Sequence, residues 1–148
     1  MFVSFFLISI FVCLDQYSKF LVETKYQVPF DLIPGFIELR YSQNTGIAFS
    51  LFDSYPLLLT VINSVIIVTF LVFFLKNHHE SLFANLPSIL IIAGGLGNLI
   101  DRYIKGYVVD FINPSFIDFA IFNLADTFLN IGVALFIMEI IFNAKPRT

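Results

Sequence analysis

Asp110 and Asp126 stand in the stretch VVDFINPSFIDFAIFNLAD (108–126), each surrounded by Val, Phe, Ile and Leu. An ionised side chain in apolar surroundings is costly, ~2.5–3.5 kcal/mol at a bilayer centre on insertion scales. Neither aspartate has a basic residue at helical spacing to offset that cost. Two carboxyl groups held close in a low-dielectric pocket cannot both ionise, so they share a proton and titrate as a unit. Such a pair can hydrolyse a peptide bond without a covalent intermediate. One member, ionised, takes a proton from water, and the other, protonated, polarises the carbonyl oxygen. No Ser-His or Cys-His set competes for this role: His78 and His79 fall at the far end of the molecule, and Cys13 is the single cysteine. Cys13 reads as a small packing residue of an apolar helix, and one cysteine allows neither an intramolecular disulfide nor a cysteine-rich metal site. Asp118 lies between the pair and reads as a solvated loop residue.

Other polar residues recur at spacings that place them on shared helix faces. In DQYSK, Asp15 and Lys19 are four apart and therefore neighbours. In GGLGNLIDR, Gly94, Asn98 and Asp101 follow one stripe with Arg102 beside it, and the glycines admit another backbone closely. In FNLADTFLN, Asn123, Asp126 and Asn130 share a face. All three stripes, with the segment QNTGIAFS, belong to the same end of the molecule. For Asp15 and Asp101 two readings stay open: a functional role, or helix-end solvation and pairing with Lys19 or Arg102. Asp101 is the rival of Asp110 as partner of Asp126, but its neighbour Arg102 is expected to keep it ionised and paired.

The elements that must position these residues follow from composition. The chain has 58% hydrophobic and 13% charged residues, about half the charge of a typical soluble domain. Uncharged runs cover Met1–Leu14, Ser54–Leu75 and Ser81–Ile100. A bilayer core asks for ~20 apolar residues per helix, which predicts an α-helical membrane protein of a single domain, 1–148, with spans at about 1–22, 55–75, 82–101 and 123–142. The first run has no basic n-region and no A-x-A-like cleavage site, so it reads as a retained signal anchor. Between spans one and two, about 23–53, lies a surface β region. FIELRYS (36–42) alternates with period two and is bounded by Pro34-Gly35 and NTG (44–46), which predicts a strand in a small extramembrane sheet. KNHHES (76–81) reads as a solvated turn, its adjacent histidines being a poor metal-ligand set. No basic run suggests nucleic acid. Lys/Arg counting sets Lys19, Lys25, Arg40, Arg102 and Lys105 at the polar end against Lys76, Lys145 and Arg147. That count alone would make the polar end cytoplasmic, and it leaves orientation open.

The motifs DQYSK, NTGIAFS, GGLGNLIDR, VVDFI and FNLAD, in this order, resemble those of the type II signal peptidases, the bacterial prolipoprotein signal peptidases. The resemblance covers almost the whole chain; Gln43 departs from it, since many members have arginine before the asparagine. It implies four transmembrane helices with both termini cytoplasmic, and a small β-sheet and active site at the outer face of the bacterial cytoplasmic (inner) membrane. It implies Asp110 and Asp126 as the catalytic aspartates. Asn44, Gly94, Asn98, Arg102, Asn123 and Ala125 would be substrate-binding or supporting residues, and Asp15, Lys19 and Asp101 structural ones. The implied reaction is removal of signal peptides by cleavage before a diacylglyceryl-modified cysteine, with no metal and no organic cofactor. Implied partners are diacylglyceryl-modified prolipoproteins, membrane lipids and globomycin-type inhibitors, and a monomer is expected. Two other classes fit the residues: a small proton- or ion-translocating protein using intramembrane aspartates, and a passive membrane scaffold.

Overall fold

A computed structural model describes residues 1–26, 28–46 and 56–143. Its elements run α1 (Phe2–Lys25), β1 (Phe30–Ile33), β2 (Ile37–Asn44), α2 (Pro56–Lys76), α3 (Leu82–Lys105), β3 (Val108–Pro114) and α4 (Leu124–Asn143). Among the described residues four helices are long and apolar enough to cross a membrane. The 24 residues of α3 extend ~36 Å at ~1.5 Å per residue, more than the ~30 Å of hydrocarbon.

The apolar window of α3 is 67% buried, against 22% in α1, 22% in α2 and 11% in α4, so α3 is the central helix. Its glycines make this possible. A Cβ on Gly97 would lie 2.5 Å from Asp15 Oδ2, and one on Gly94 would collide with the Ala125 carbonyl, so α1 and α4 reach α3 only where side chains are missing. Lipid tails are as apolar as leucine, so close packing and not water exclusion drives such crossings. The outward surfaces of the other helices carry exposed Phe6, Ile66 and Ile141. Cys13 is exposed there too, on the outward face of α1 and not in the packed interior that its residue type suggested. Hydroxyls within the helices bond back to the preceding turn, as Ser9 to the Phe5 carbonyl and Thr69 to the Val65 carbonyl, which satisfies them inside hydrocarbon.

Gly106 ends α3 in the left-handed region (φ 81), and its N–H donates to the Arg102 carbonyl at 3.1 Å. This reversal sends the chain at once into β3. The sheet is antiparallel with order β1-β2-β3, and Ser42 pairs with Asp110 and Asn44 with Val108. β2 corresponds to the alternating FIELRYS segment. β3 was not foreseen: VVDFI is buried on both faces, with Val108, Val109, Asp110 and Phe111 all between 0% and 6% exposed, so no alternation marks it.

Candidate active site

Asp110 sits in the middle of β3, and its carboxylate is fixed from the neighbouring strand. Asn44 Nδ2 donates to Asp110 Oδ2 at 2.8 Å. Asn44 is itself held by a turn in which its Oδ1 accepts the Gly46 N–H at 3.0 Å, the local bond that asparagine forms readily in turns. Residues 47–50, the remainder of the NTGIAFS motif, lie outside the described residues.

Asp126 is placed by the start of α4. Asn123 precedes the helix, and its Oδ1 accepts the Asp126 N–H at 2.9 Å while the Asn123 N–H donates to Asp126 Oδ2 at 3.2 Å. This is a reciprocal capping box, which uses two backbone donors that the first helical turn leaves without partners. The same asparagine reaches the other aspartate: Asn123 Nδ2 donates to Asp110 Oδ1 at 2.7 Å. Asn98 on α3 completes the set, with Nδ2 donating to Asp126 Oδ1 at 2.7 Å. Every oxygen of both carboxyl groups thus has a donor. Burial first, then the charge of Asp126, pushes Asp110 up to about 6, while the Asn44 and Asn123 hydrogen bonds and the Lys19 cation pull it back.

Asn44, Asn98, Arg102, Asp110 and Asp126 line one open cavity of about 240 Å³. Its apolar wall is the segment Phe119–Phe122, which precedes the capping asparagine, and Asn130 closes the side along α4. Arg102 donates from Nη2 to the Gly46 carbonyl at 2.9 Å. Its Nε is buried and has no hydrogen-bond partner among the described residues.

Beneath the cavity is a buried ion cluster. Lys19 Nζ lies 2.8 Å from Asp15 and 3.1 Å from Asp101, all with side chains at most 1% exposed. Asp15 Oδ1 accepts the Ala125 N–H at 2.9 Å, and Asp101 Oδ2 accepts the Val109 N–H at 3.2 Å. The cluster therefore grips the backbone beside each cavity aspartate. Asp101 does not pair with Arg102 as its sequence position suggested. Consecutive helix residues do not face each other, and Asp101 turns to Lys19 and, at 3.4 Å, to Lys105. Gly94 and Ala125 lie at the α3–α4 crossing below the cavity and not in its wall. Asp118 is exposed in the loop before the wall segment. His78, at the opposite end, faces Ser4 Oγ at 3.4 Å and the edge of Phe74. Sequence reasoning overlooked the Phe119–Phe122 wall and the strand that carries Asp110. A run of β-branched and aromatic residues between Gly106 and Pro114 was the available signal for the strand.

The molecule is thus a membrane protein of several spans that carries two hydrogen-bonded aspartates in a cavity at one end of its helices. The family model described as signal peptidase (SPase) II matches residues 7–142. The chain is 41% identical over 132 residues to the lipoprotein signal peptidase of Streptococcus pyogenes serotype M5 (strain Manfredo), covering 86% of this chain and 85% of that protein. It is 42% identical over 127 residues to that of Streptococcus thermophilus (strain CNRZ 1066), covering 84% and 83%. A bacterial membrane enzyme solved by the in meso method at 2.3 Å superposes with a TM-score of 0.91 at 32% identity, over 100% of this chain and 93% of that one. A second, solved at 1.9 Å, gives 0.85 at 33% identity, over 95% and 93%. The chain belongs to the signal peptidase II family and is a multi-pass membrane peptidase.

Proposed function

We propose that this peptidase removes signal peptides from bacterial prolipoproteins by cleaving before a diacylglyceryl-modified cysteine, with Asp110 and Asp126 as its catalytic pair. The observation that carries this reading is the single asparagine, Asn123, bonded to both carboxyl groups at the wall of one cavity. Near pH 6 Asp110 holds the shared proton and donates it to the scissile carbonyl oxygen, while Asp126 accepts a proton from the attacking water. The tetrahedral intermediate then collapses as the amine leaves with a proton from the pair. Arg102 adds a cation to the wall, held in place by the Gly46 carbonyl. Asn44, Asn98 and Asn123 orient the carboxyl groups, Gly94 and Ala125 let the helices approach, and Asp15, Lys19 and Asp101 hold the frame.

The acyl chains of the substrate stay in lipid along the exposed apolar helix surfaces while the peptide enters the cavity. In this reading the sheet and the cavity lie at the outer face of the bacterial cytoplasmic membrane and both termini lie inside. The enzyme works as a monomer without metal or organic cofactor and binds globomycin-type cyclic peptides. The test is purified protein in lipid–detergent micelles, given a diacylglyceryl-modified precursor peptide and its unmodified twin, with products read by mass spectrometry. A new N-terminus at the lipidated cysteine, absent from the unmodified twin, supports the reading. Cleavage elsewhere, or none, overturns it.

A further inference from the structure

Lys19 is fully buried and is not itself part of the cavity wall. An ammonium has three donors and no acceptor. Lys19 uses all three, on Asp15 Oδ2 at 2.8 Å, Asp101 Oδ2 at 3.1 Å and Asn98 Oδ1 at 3.0 Å. The Asn98 amide must therefore turn its oxygen to Lys19, which leaves its Nδ2 for Asp126 Oδ1. Rotated by half a turn, that amide would set N–H against an ammonium and a carbonyl oxygen against a carboxylate. The same Asn98 oxygen also accepts from Asn123 Nδ2 at 3.0 Å, the nitrogen that donates to Asp110.

We infer that Lys19 is a positioning residue for the candidate dyad: it fixes the direction of a hydrogen-bond chain through Asn98 and Asn123, so that each carboxyl group receives an amide N–H. The inference rests on the peptidase reading above for its kinetic consequence, but not for the hydrogen-bond polarity itself. The chain is anchored at its other end by the Asp126 N–H on Asn123 Oδ1. Without Lys19 that anchor alone does not hold Asn98, because Asn123 Nδ2 has the Val109 carbonyl at 3.3 Å as another acceptor. The charged and polar groups that act on Asp110 are Asp126 from α4, Lys19 from α1, Arg102 from α3, Asn44 from β2 and the capping Asn123 before α4.

The test compares wild type with Lys19→Met and Asn98→Asp in lipid micelles. Lys19→Met is expected to lower kcat by about 100-fold or more, the loss seen when a preorganised donor is removed, while KM stays within about threefold. Its rate maximum moves to higher pH, since the cation that draws Asp110 down is gone. Residual activity with wild-type kcat and pH profile per folded molecule would show a merely structural lysine and overturn the inference. Asn98→Asp serves if Lys19→Met does not fold. It keeps an oxygen for Lys19 but offers no N–H to Asp126, and a wild-type kcat there also overturns the inference. Side-chain amide NMR of 15N-asparagine-labelled wild type and Lys19→Met decides the matter without any peptidase activity. The Asn98 amide should shift as the carboxyl groups titrate in wild type and lose that response in the variant. An unchanged response refutes the polarity chain, whereas a wild type that cuts nothing refutes only the peptidase reading.

Discussion

Replacing Asp110 by asparagine should destroy activity and yet stabilise the protein at neutral pH. The carboxyl is 2% exposed and is moved from its ordinary 3.8 to about 6 by burial and by the charge of Asp126. A group so moved binds its proton about 3 kcal/mol more tightly in the folded state than in the unfolded one. The folded protein thus holds more protons than the unfolded chain between about pH 4 and pH 6. Stability from this group is fully present below about pH 4 and is lost as pH rises through about 6. Above that, the ionised side chain costs the fold about 3 kcal/mol. Asparagine removes the charge but keeps only one acceptor oxygen for the two donors Asn44 and Asn123, which costs about 1 kcal/mol. The net gain is then roughly 2 kcal/mol near pH 8, or about 4–8 °C in Tm for a chain of this size. Near pH 4 the wild-type carboxyl is neutral and the gain disappears. Thermal melts of both proteins in the same micelles at the two pH values measure this. A variant that melts lower near pH 8, or a difference independent of pH, would refute the assignment of a strained carboxyl to Asp110.

Further consequences follow from neighbouring contacts. Asn44→Ala removes one of the two donors on Asp110; a hydrogen bond to a charged group contributes about 1.5–3 kcal/mol, so kcat/KM should fall roughly 10–150-fold. Its pH optimum should rise, because the bond that pulls Asp110 down is lost, and pH–rate profiles check both. Gly97→Ala drives a methyl to 2.5 Å from Asp15 Oδ2, and overpacking of this kind costs about 1–3 kcal/mol, seen as a lower melt. By contrast, Glu23→Gln weakens a pair with Lys105 that is 22–24% exposed. Partly exposed pairs contribute at most about 1 kcal/mol, so the melt should move little, and less still in high salt.

Much of this site could be read from the chain because helices advertise their faces. Asn123 and Asp126, three apart, and Asp15 and Lys19, four apart, meet in space as their spacing requires. The four apolar runs became four helices for the same reason: hydrocarbon accepts only backbone that satisfies itself. Asp110 was conspicuous as a charge in apolar company, but its strand was not, since a strand buried on both faces shows no period of two. The partner of Asp101 was misjudged because adjacency in sequence is separation around a helix. Lys19, 82 positions away, could not be found by spacing. Nor could the double duty of Asn123, which caps α4 and bridges to β3, be seen before the sheet brought those elements together.

As proposed, Asp110 and Asp126 act as one catalytic unit. Cleavage of a diacylglyceryl-modified precursor by wild type, Asp110→Asn, Asp126→Asn, the double variant and Asp101→Asn tests it most directly. Either single variant should lose as much activity as the double, because members of one unit are not additive. Activity retained in Asp110→Asn with Asp101→Asn dead, or losses in the singles that multiply in the double, would contradict it.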